Sequence, residues 1–377
     1  MNAHETPAPA DRKTRVALIF GGRSGEHSVS CATAAGVLRE IDRDRYDVLP
    51  IGITREGRWV TVADDPTLLE GGRAEVDGDG AAVLIQLAGA GRTSLLEARP
   101  GAAPRELGDV DVVFPLLHGP FGEDGTIQGL FEMADVRYVG SGVLASAVGM
   151  DKHFMKVALA AAGLPVGPYV VATPQAWVRD RAAVLEAVGA LRLPVFVKPA
   201  RAGSSLGITR VERLEDLEAA VFEAQRHDPK VIIEEGLDGR EIECGVLQGR
   251  NGAAPRTAPP GEIVMHSETS EFYDFETKYF STEDFHMECP AQLSPEVAEE
   301  IRDLAARAFD ALGCEGLARV DFFHTTSGEA VIIEINTMPG FTPFSMFPVM
   351  WAQLGMGYGD LVRELIELAL ERPTGLR

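Results

Sequence analysis

The chain has 377 residues, 45% of them hydrophobic, and a formal net charge of −22. That is enough chain for two or three domains with a large core, and too much apolar content for disorder. The acidic balance argues against nucleic acid and anionic membrane as partners, and no apolar run nears the roughly 20 residues of a membrane span.

The opening "MNAHETPAPADRK" lacks the apolar core of a signal peptide, so residues 1–13 read as a disordered tail. "RVALIF" is a short strand that stops at Gly21-Gly22, and "HSVSCATAAGVLREI" has the pattern of a helix. Strand, glycine turn and helix open an α/β domain. "YDVLPIGI" is the next strand. Residues 62–108, rich in Gly, Ala and Asp, have weak periodicity and read as a variable, partly irregular excursion. "DVDVVFPLLHG" then reads as one buried strand ending on a loop.

After about residue 145 the texture changes. "DKHFMKVALAAAGLP" is a helix stopped by Gly and Pro. "LPVFVKPA" and "SLGITRV" are strands joined by a glycine-serine loop, and "LEDLEAAVFEAQRH" is an amphipathic helix. "KVIIEEGL" and "EIECGVLQG" are strands. "SPEVAEEIRDLAARAFDALGC" is a helix with Ser294 as its cap, Pro295 in its first turn and Gly313 at its stop. A hairpin follows at 318–340, and "GDLVRELIELALERP" closes the chain as a helix. The four cysteines have no C-x-x-C spacing and read as reduced thiols of a cytoplasmic protein, not as a zinc site.

The hairpin "ARVDFFHTTSGEAVIIEINTMPG" carries polar residues at strand positions. Arg319 and Asp321 share one face, as do Glu334 and Asn336. A two-residue turn at Ser327-Gly328 sets Asp321 opposite Glu334 and Arg319 opposite Asn336, with Val320, Phe322, Ile333 and Ile335 on the buried face. Like charges directly across a ladder repel, and a cation between them removes the penalty. Oxygen donors on adjacent strands suit Mg²⁺ or Mn²⁺ with phosphates completing the shell. A solvated outer face of an edge hairpin would carry the same residues.

"VFVKPARAGSSLGITRV" puts Lys198 at the end of an apolar strand, before a loop of Gly203, Ser204, Ser205 and Gly207. Glycines let backbone N–H groups approach phosphates, and serines add donors. No G-x-x-x-x-G-K-[ST] is present, so this is not a P-loop. A second lysine, Lys152, and the metal-like hairpin in the same chain strengthen the reading of a phosphate site, and an ordinary flexible turn would carry the same loop residues. Glu234, Glu235 and Glu241 in "VIIEEGLDGREIECGV" offer acceptors for an adenine amino group and a ribose, and would also serve in a charged loop.

Together the motifs "GGRSGEHSVS", "LHGPFGEDGTIQG", "GSGVLASAVGMDKHFMK", "VKPARAGSSLG", "EFYDFETKY", "GLARVDFF" and "EINTMPGFTPFS" resemble those of the D-alanine–D-alanine ligases of the ATP-grasp superfamily, from about residue 15 to 370. The resemblance implies an α/β (α+β) ATP-grasp architecture. An N-terminal open α/β substrate-binding domain (14–145, with the 62–108 excursion) precedes a central ATP-grasp lobe (146–240). A C-terminal lobe (241–377) carries the metal site and a lid loop. It implies ATP and D-alanine as ligands, Mg²⁺ or Mn²⁺ as cofactor, two ions in number, a homodimer, and a place in peptidoglycan precursor synthesis.

It also implies roles, position by position. Glu26 would hold the ammonium of a first D-alanine, although its place before a helix also suits capping, and His118 would line that subsite. Lys152 and Lys198 would contact ATP phosphates. The backbone from Glu234 through Glu235 to Leu237 would bind adenine, with Glu241 on the ribose. Asp321, Glu334 and Asn336 would be the metal ligands. Arg319 and the Gly340 N–H would stabilise a tetrahedral oxyanion, and Ser345 would bind the carboxylate of a second D-alanine. Lys278 and Tyr279 would sit on the lid, Lys278 near the transferred phosphate, with Tyr279 hydrogen-bonded to Ser204 and Ser204 to Glu26. Phe272, Tyr273 and Phe275 would pack the lid. A depsipeptide ligase of the same fold is the nearest rival, and Tyr279 argues against it.

Overall fold

The computed structural model describes residues 12–69, 74–87, 93–203, 206–265 and 285–374, so most of the tail at 1–13 lies outside the described residues. Three sheets follow one another along the chain. The first has eight strands. Thr14–Gly21 lies between Tyr46–Ile53 and Val112–Pro115, parallel to both, and Arg137–Tyr138 extends the parallel part. The strand Thr14–Gly21 is buried over its last six residues, as a strand covered on both faces must be. Helix His27–Glu40 packs on it.

The excursion is more regular than its sequence suggests. Trp59–Thr61, Ala82–Leu87, Thr93–Ala98 and Arg105–Val110 continue the same sheet as an antiparallel meander. Thr93–Ala98 alternates buried and half-buried side chains, so only a short period-2 signal reaches the sequence. The single strand expected from "DVDVVFPLLHG" is two, Arg105–Val110 and Val112–Pro115. The break falls at Asp111, whose carboxylate accepts from the Arg15 N–H at 2.7 Å and Arg12 Nη2 at 2.6 Å.

The second sheet is antiparallel, in the order Thr209–Val211, Val195–Pro199, Val231–Glu235, Tyr169–Ala172. The third places Gly239–Leu247 beside Leu317–Thr325, which pairs with Ala330–Asn336. Helix Pro295–Leu312 covers it, burying Ile301, Leu304, Ala305, Ala308, Phe309 and Leu312 on one stripe. Its ends match the sequence: Ser294 Oγ accepts from the Val297 N–H at 3.3 Å, and Gly313 is left-handed at φ 65°.

The hairpin departs from expectation twice, and the departures cancel. Its loop is Thr326-Ser327-Gly328, closed by the Thr325 N–H on Glu329 C=O at 2.9 Å, with Gly328 at φ 89°. That shifts the register by one, pairing Phe322 with Ile332. An irregularity between Asp321 and Phe322 then makes Ile333 the extra residue, so Asp321 does face Glu334 and Arg319 does face Asn336. The bulge puts Ile332, not Ile333, in the core, and turns Ile333 into a cavity.

Candidate active site

The strand Thr14–Gly21 ends on Gly21 and Gly22, both at positive φ; a Cβ on Gly21 would lie 2.4 Å from the Ile53 carbonyl oxygen. The turn delivers Ser24 and Glu26 to the strand end. Ser24 Oγ donates to His118 C=O at 2.7 Å, locking the "GGRSGE" turn to the "LHG" loop. Glu26 occupies the N-cap position of helix His27–Glu40 but makes no side-chain cap bond. It turns toward Gly119 instead, where a Cβ would meet Glu26 Oε2 at 2.5 Å. His118 is buried, with Nδ1 3.2 Å from Met338 C=O and Nε2 3.3 Å from Thr33 Oγ1. Burial pushes its pKa below the ordinary histidine value, against the pull of Glu26.

Glu26, His118, Arg319, Glu334, Asn336 and Gly340 line one cavity, joined there by Glu123, which the sequence reading passed over. The carboxyl of Glu123 is pushed up to about 8, first by burial and then by Glu26. The second cavity lies between the second and third sheets and collects Lys152, Lys198, Glu234, Glu235, Leu237 and Glu241. Asp321, Phe323, Ile333 and Glu334 line it too. Ala202, Gly203 and Glu334 line both cavities, so the two share a wall.

Three lysines, Lys152, Lys156 and Lys198, line the second cavity among five carboxylates. Lys152 Nζ donates to Glu334 Oε1 at 2.8 Å and to Ala202 C=O at 2.9 Å. Burial alone would lower its pKa, but Glu334 raises it above the ordinary lysine value. Glu234 sits between Lys156 and Lys198, 2.7 Å from each. Its burial favours the neutral acid, yet the two ammonium groups hold the carboxyl far below its usual range. Lys156 is 1% exposed and was missed in the sequence; its signal was its place one helical turn after Lys152 on helix Lys152–Ala161. Glu235 pairs with Arg192 at 2.9 Å.

On the third sheet Glu243, Asp321 and Glu334 form one row across three paired strands. Like-charge repulsion between Asp321 and Glu334 is not how the row stands, because each has a cation of its own. Arg319 binds Asp321 through two 2.7 Å bonds and lies 3.2 Å from Glu243, while Lys152 serves Glu334. Asn336 Nδ2 donates to Asp321 Oδ2 at 2.9 Å. Among the described residues no group of three His, Cys, Asp or Glu makes a metal cage. Two carboxylates and an amide at a cavity wall instead suit a cation that keeps part of its shell for phosphate oxygens.

Gly340 lies beside Ser345: a Cβ on it would be 3.2 Å from Ser345 Oγ. Ser345 Oγ is 2.8 Å from Thr342 Oγ1 and accepts from the Thr342 N–H at 3.1 Å. Ser204, Lys278 and Tyr279, with Phe272, Tyr273 and Phe275, lie outside the described residues.

Family models match nearly the whole chain: "D-ala D-ala ligase N-terminus" over residues 15–141 and "D-ala D-ala ligase C-terminus" over 158–367. A D-alanine–D-alanine ligase of Arthrobacter sp. (strain FB24) is 57% identical over 380 residues, spanning 100% of this chain and 99% of the relative. The chain belongs to the D-alanine–D-alanine ligase family. Within that family, the ligase of Streptomyces avermitilis is 51% identical over 387 residues, 100% of this chain and 99% of its own. Two solved structures share the ATP-grasp fold at TM-score 0.80 each. They are the VanG D-Ala:D-Ser ligase from Enterococcus faecalis (35% identical, 95% of this chain and 100% of that one) and the D-alanine–D-alanine ligase from Coxiella burnetii (33%, 96% and 94%).

Proposed function

We propose that the chain is an ATP-dependent D-alanine–D-alanine ligase that supplies peptidoglycan precursor synthesis. The observation that carries this reading is the adjacency of two cavities that share Ala202, Gly203 and Glu334: one is lined by Glu26, His118 and Arg319, the other by Lys152, Lys156 and Lys198 among carboxylates. A carboxylate oxygen of the first D-alanine attacks the γ-phosphorus of ATP, and ADP leaves. The amine of the second D-alanine then attacks the acylphosphate carbon, loses a proton, and phosphate departs. Each step brings anions together, so positioning and charge neutralisation supply the rate.

Glu26 holds the ammonium of the first D-alanine, against the wall made by His118. Lys152 and Lys198 neutralise the ATP phosphates. Adenine lies along the backbone of Glu234 to Leu237, with Glu241 at the ribose. Arg319 and the Gly340 N–H receive the oxyanion, and Ser345 takes the carboxylate of the second D-alanine. Lys278 and Tyr279 would close over the site, latched by Tyr279 to Ser204 and by Ser204 to Glu26. Asp321, Glu334 and Asn336 would hold Mg²⁺ or Mn²⁺, in two ions, which neutralise phosphate charge when bound. Division into 14–145, 146–240 and 241–377, a homodimer and a cytoplasmic location complete the proposal. The division is supported by the order of the three sheets, the dimer by family resemblance, and the location by ATP dependence.

The test is a product assay with ATP, Mg²⁺ and paired acceptors. D-alanyl-D-alanine should dominate at pH 7.5, with ADP release that needs D-alanine and ignores L-alanine. The likeness to a D-Ala:D-Ser ligase makes D-serine the acceptor to run beside D-alanine and D-lactate. A product that is mainly D-alanyl-D-serine or D-alanyl-D-lactate would overturn the substrate assignment.

A further inference from the structure

Glu123 links its own loop to a segment 215 residues further along the chain. The Gly119 N–H donates to its Oε2 at 2.6 Å, and the Met338 N–H donates to its Oε1 at 3.3 Å. The carbonyl of the same Met338 lies 3.2 Å from His118 Nδ1. Both backbone polar groups of Met338 are therefore held by the His118–Glu123 loop. Thr337, Met338, Pro339 and Gly340 line the cavity that Glu123 lines. Between the held residue and Gly340 stands only Pro339, whose ring fixes φ. Restraint at Met338 is thus transmitted to the Gly340 peptide through one stiff residue.

We propose that Glu123 is a positioning residue for the second half of the reaction: it holds the Met338–Gly340 loop so that the Gly340 N–H points at the tetrahedral oxyanion. The proposal rests on the ligase reading above and deepens it. An oxyanion donor acts only where it is aimed at the oxygen of the transition state. Phosphoryl transfer to the first D-alanine takes place against the lysines and makes no use of Gly340. Loosening this loop should therefore separate the two halves of the reaction.

Whether ionised or neutral, the Glu123 carboxyl has two oxygens that can accept an N–H; Glu123→Gln keeps one and turns an NH₂, which cannot accept, toward the other, so one tether is lost. ATP carrying ¹⁸O in the β–γ bridge reads the first half as D-alanine-dependent scrambling, and dipeptide formation reads both halves. Scrambling should stay near the unmodified rate, with KM for ATP unchanged, while dipeptide turnover drops on the order of 100-fold, the cost of about 1 Å of misplacement. Glu123→Asp, which keeps the carboxylate but cannot span both N–H groups, should show the same split, and decides the matter if Glu123→Gln does not fold. A parallel loss of scrambling and turnover, a rise in KM for D-alanine alone, or unchanged turnover would overturn the role. Unmodified protein that neither scrambles nor makes dipeptide would instead overturn the ligase reading itself.

Discussion

Arg319 stands between Asp321 and Glu243, and Lys152 is bonded to Glu334. Two cations thereby offset most of the charge of this three-carboxylate row before any metal arrives, which relieves the repulsion expected across the ladder. Removing Glu334 leaves the buried Lys152 ammonium uncompensated, at about 3 kcal/mol, whereas Arg319 without Asp321 keeps Glu243 and loses less. Asp321→Asn and Glu334→Gln should therefore lower the melting temperature of metal-free protein and raise the Mg²⁺ concentration needed for half-maximal turnover. A higher metal-free melting temperature would restore the repulsion account. Arg319→Ala should cost on the order of 100-fold in turnover, as loss of an oxyanion donor does, with a far smaller change in ATP affinity. Equal losses in both would make Arg319 a phosphate ligand.

At the scale of elements, the strand Ala330–Asn336 shows how one extra residue reassigns side chains. Ile332 is fully buried in the core under helix Pro295–Leu312, and its neighbour Ile333 lines the cavity with Phe323. Strict alternation would have swapped the two. Ile333→Ala should raise KM for ATP roughly tenfold, from about 1–2 kcal/mol of lost apolar contact, with little change in melting temperature. Ile332→Ala should do the opposite, costing about 2–5 kcal/mol of stability through a core cavity while KM holds. Urea unfolding beside ATP titration separates the two, and an effect of Ile333→Ala on stability alone would mean the bulge is absent.

Across the whole molecule, two groups tie the ends of the chain together. Arg372, 4% exposed, donates to Tyr138 C=O at 3.0 Å and Gly140 C=O at 2.5 Å, and pairs with Glu315. Arg372→Ala leaves buried carbonyls without donors, at about 1–3 kcal/mol each. Its calorimetric trace should broaden or split as the first sheet uncouples from the rest; a single unshifted peak would contradict that. The other tie is Glu123, whose carboxyl is pushed up to about 8 by burial and by Glu26, with Glu334 adding to the rise and the neutral His118 beside Glu26. A folded pKa above the unfolded one means that the native state holds a proton the unfolded chain has lost. Its stabilisation is complete below pH ~4.5 and fades as pH climbs toward 8. Ligand-free protein should lose melting temperature over that window, and Glu123→Gln should flatten the slope. A slope unchanged by the substitution would assign it to another group.

Sequence alone determined what is local or carried by residue type. The caps Ser294 and Gly313 and the glycine turn at Gly21-Gly22 were legible there, while the placing of Glu26, His118, Lys152 and Lys198 came from family resemblance and the facing of Asp321 and Glu334 held only because a shifted turn and a bulge cancel. Short-range periodicity and turn chemistry are written in neighbouring residues. The meander within 62–108 was harder to see because half-buried strands give only a few alternating positions. Tertiary structure decided the partners: Lys156 with Glu234, Arg319 with Asp321 and Glu243, Ile332 with the core, and Glu123 with Met338. These pairings depend on a bulge, on the packing of one sheet over another, or on segments far apart in the chain. Side-chain direction there follows from register and crossing geometry, and no stretch of neighbouring residues encodes either one.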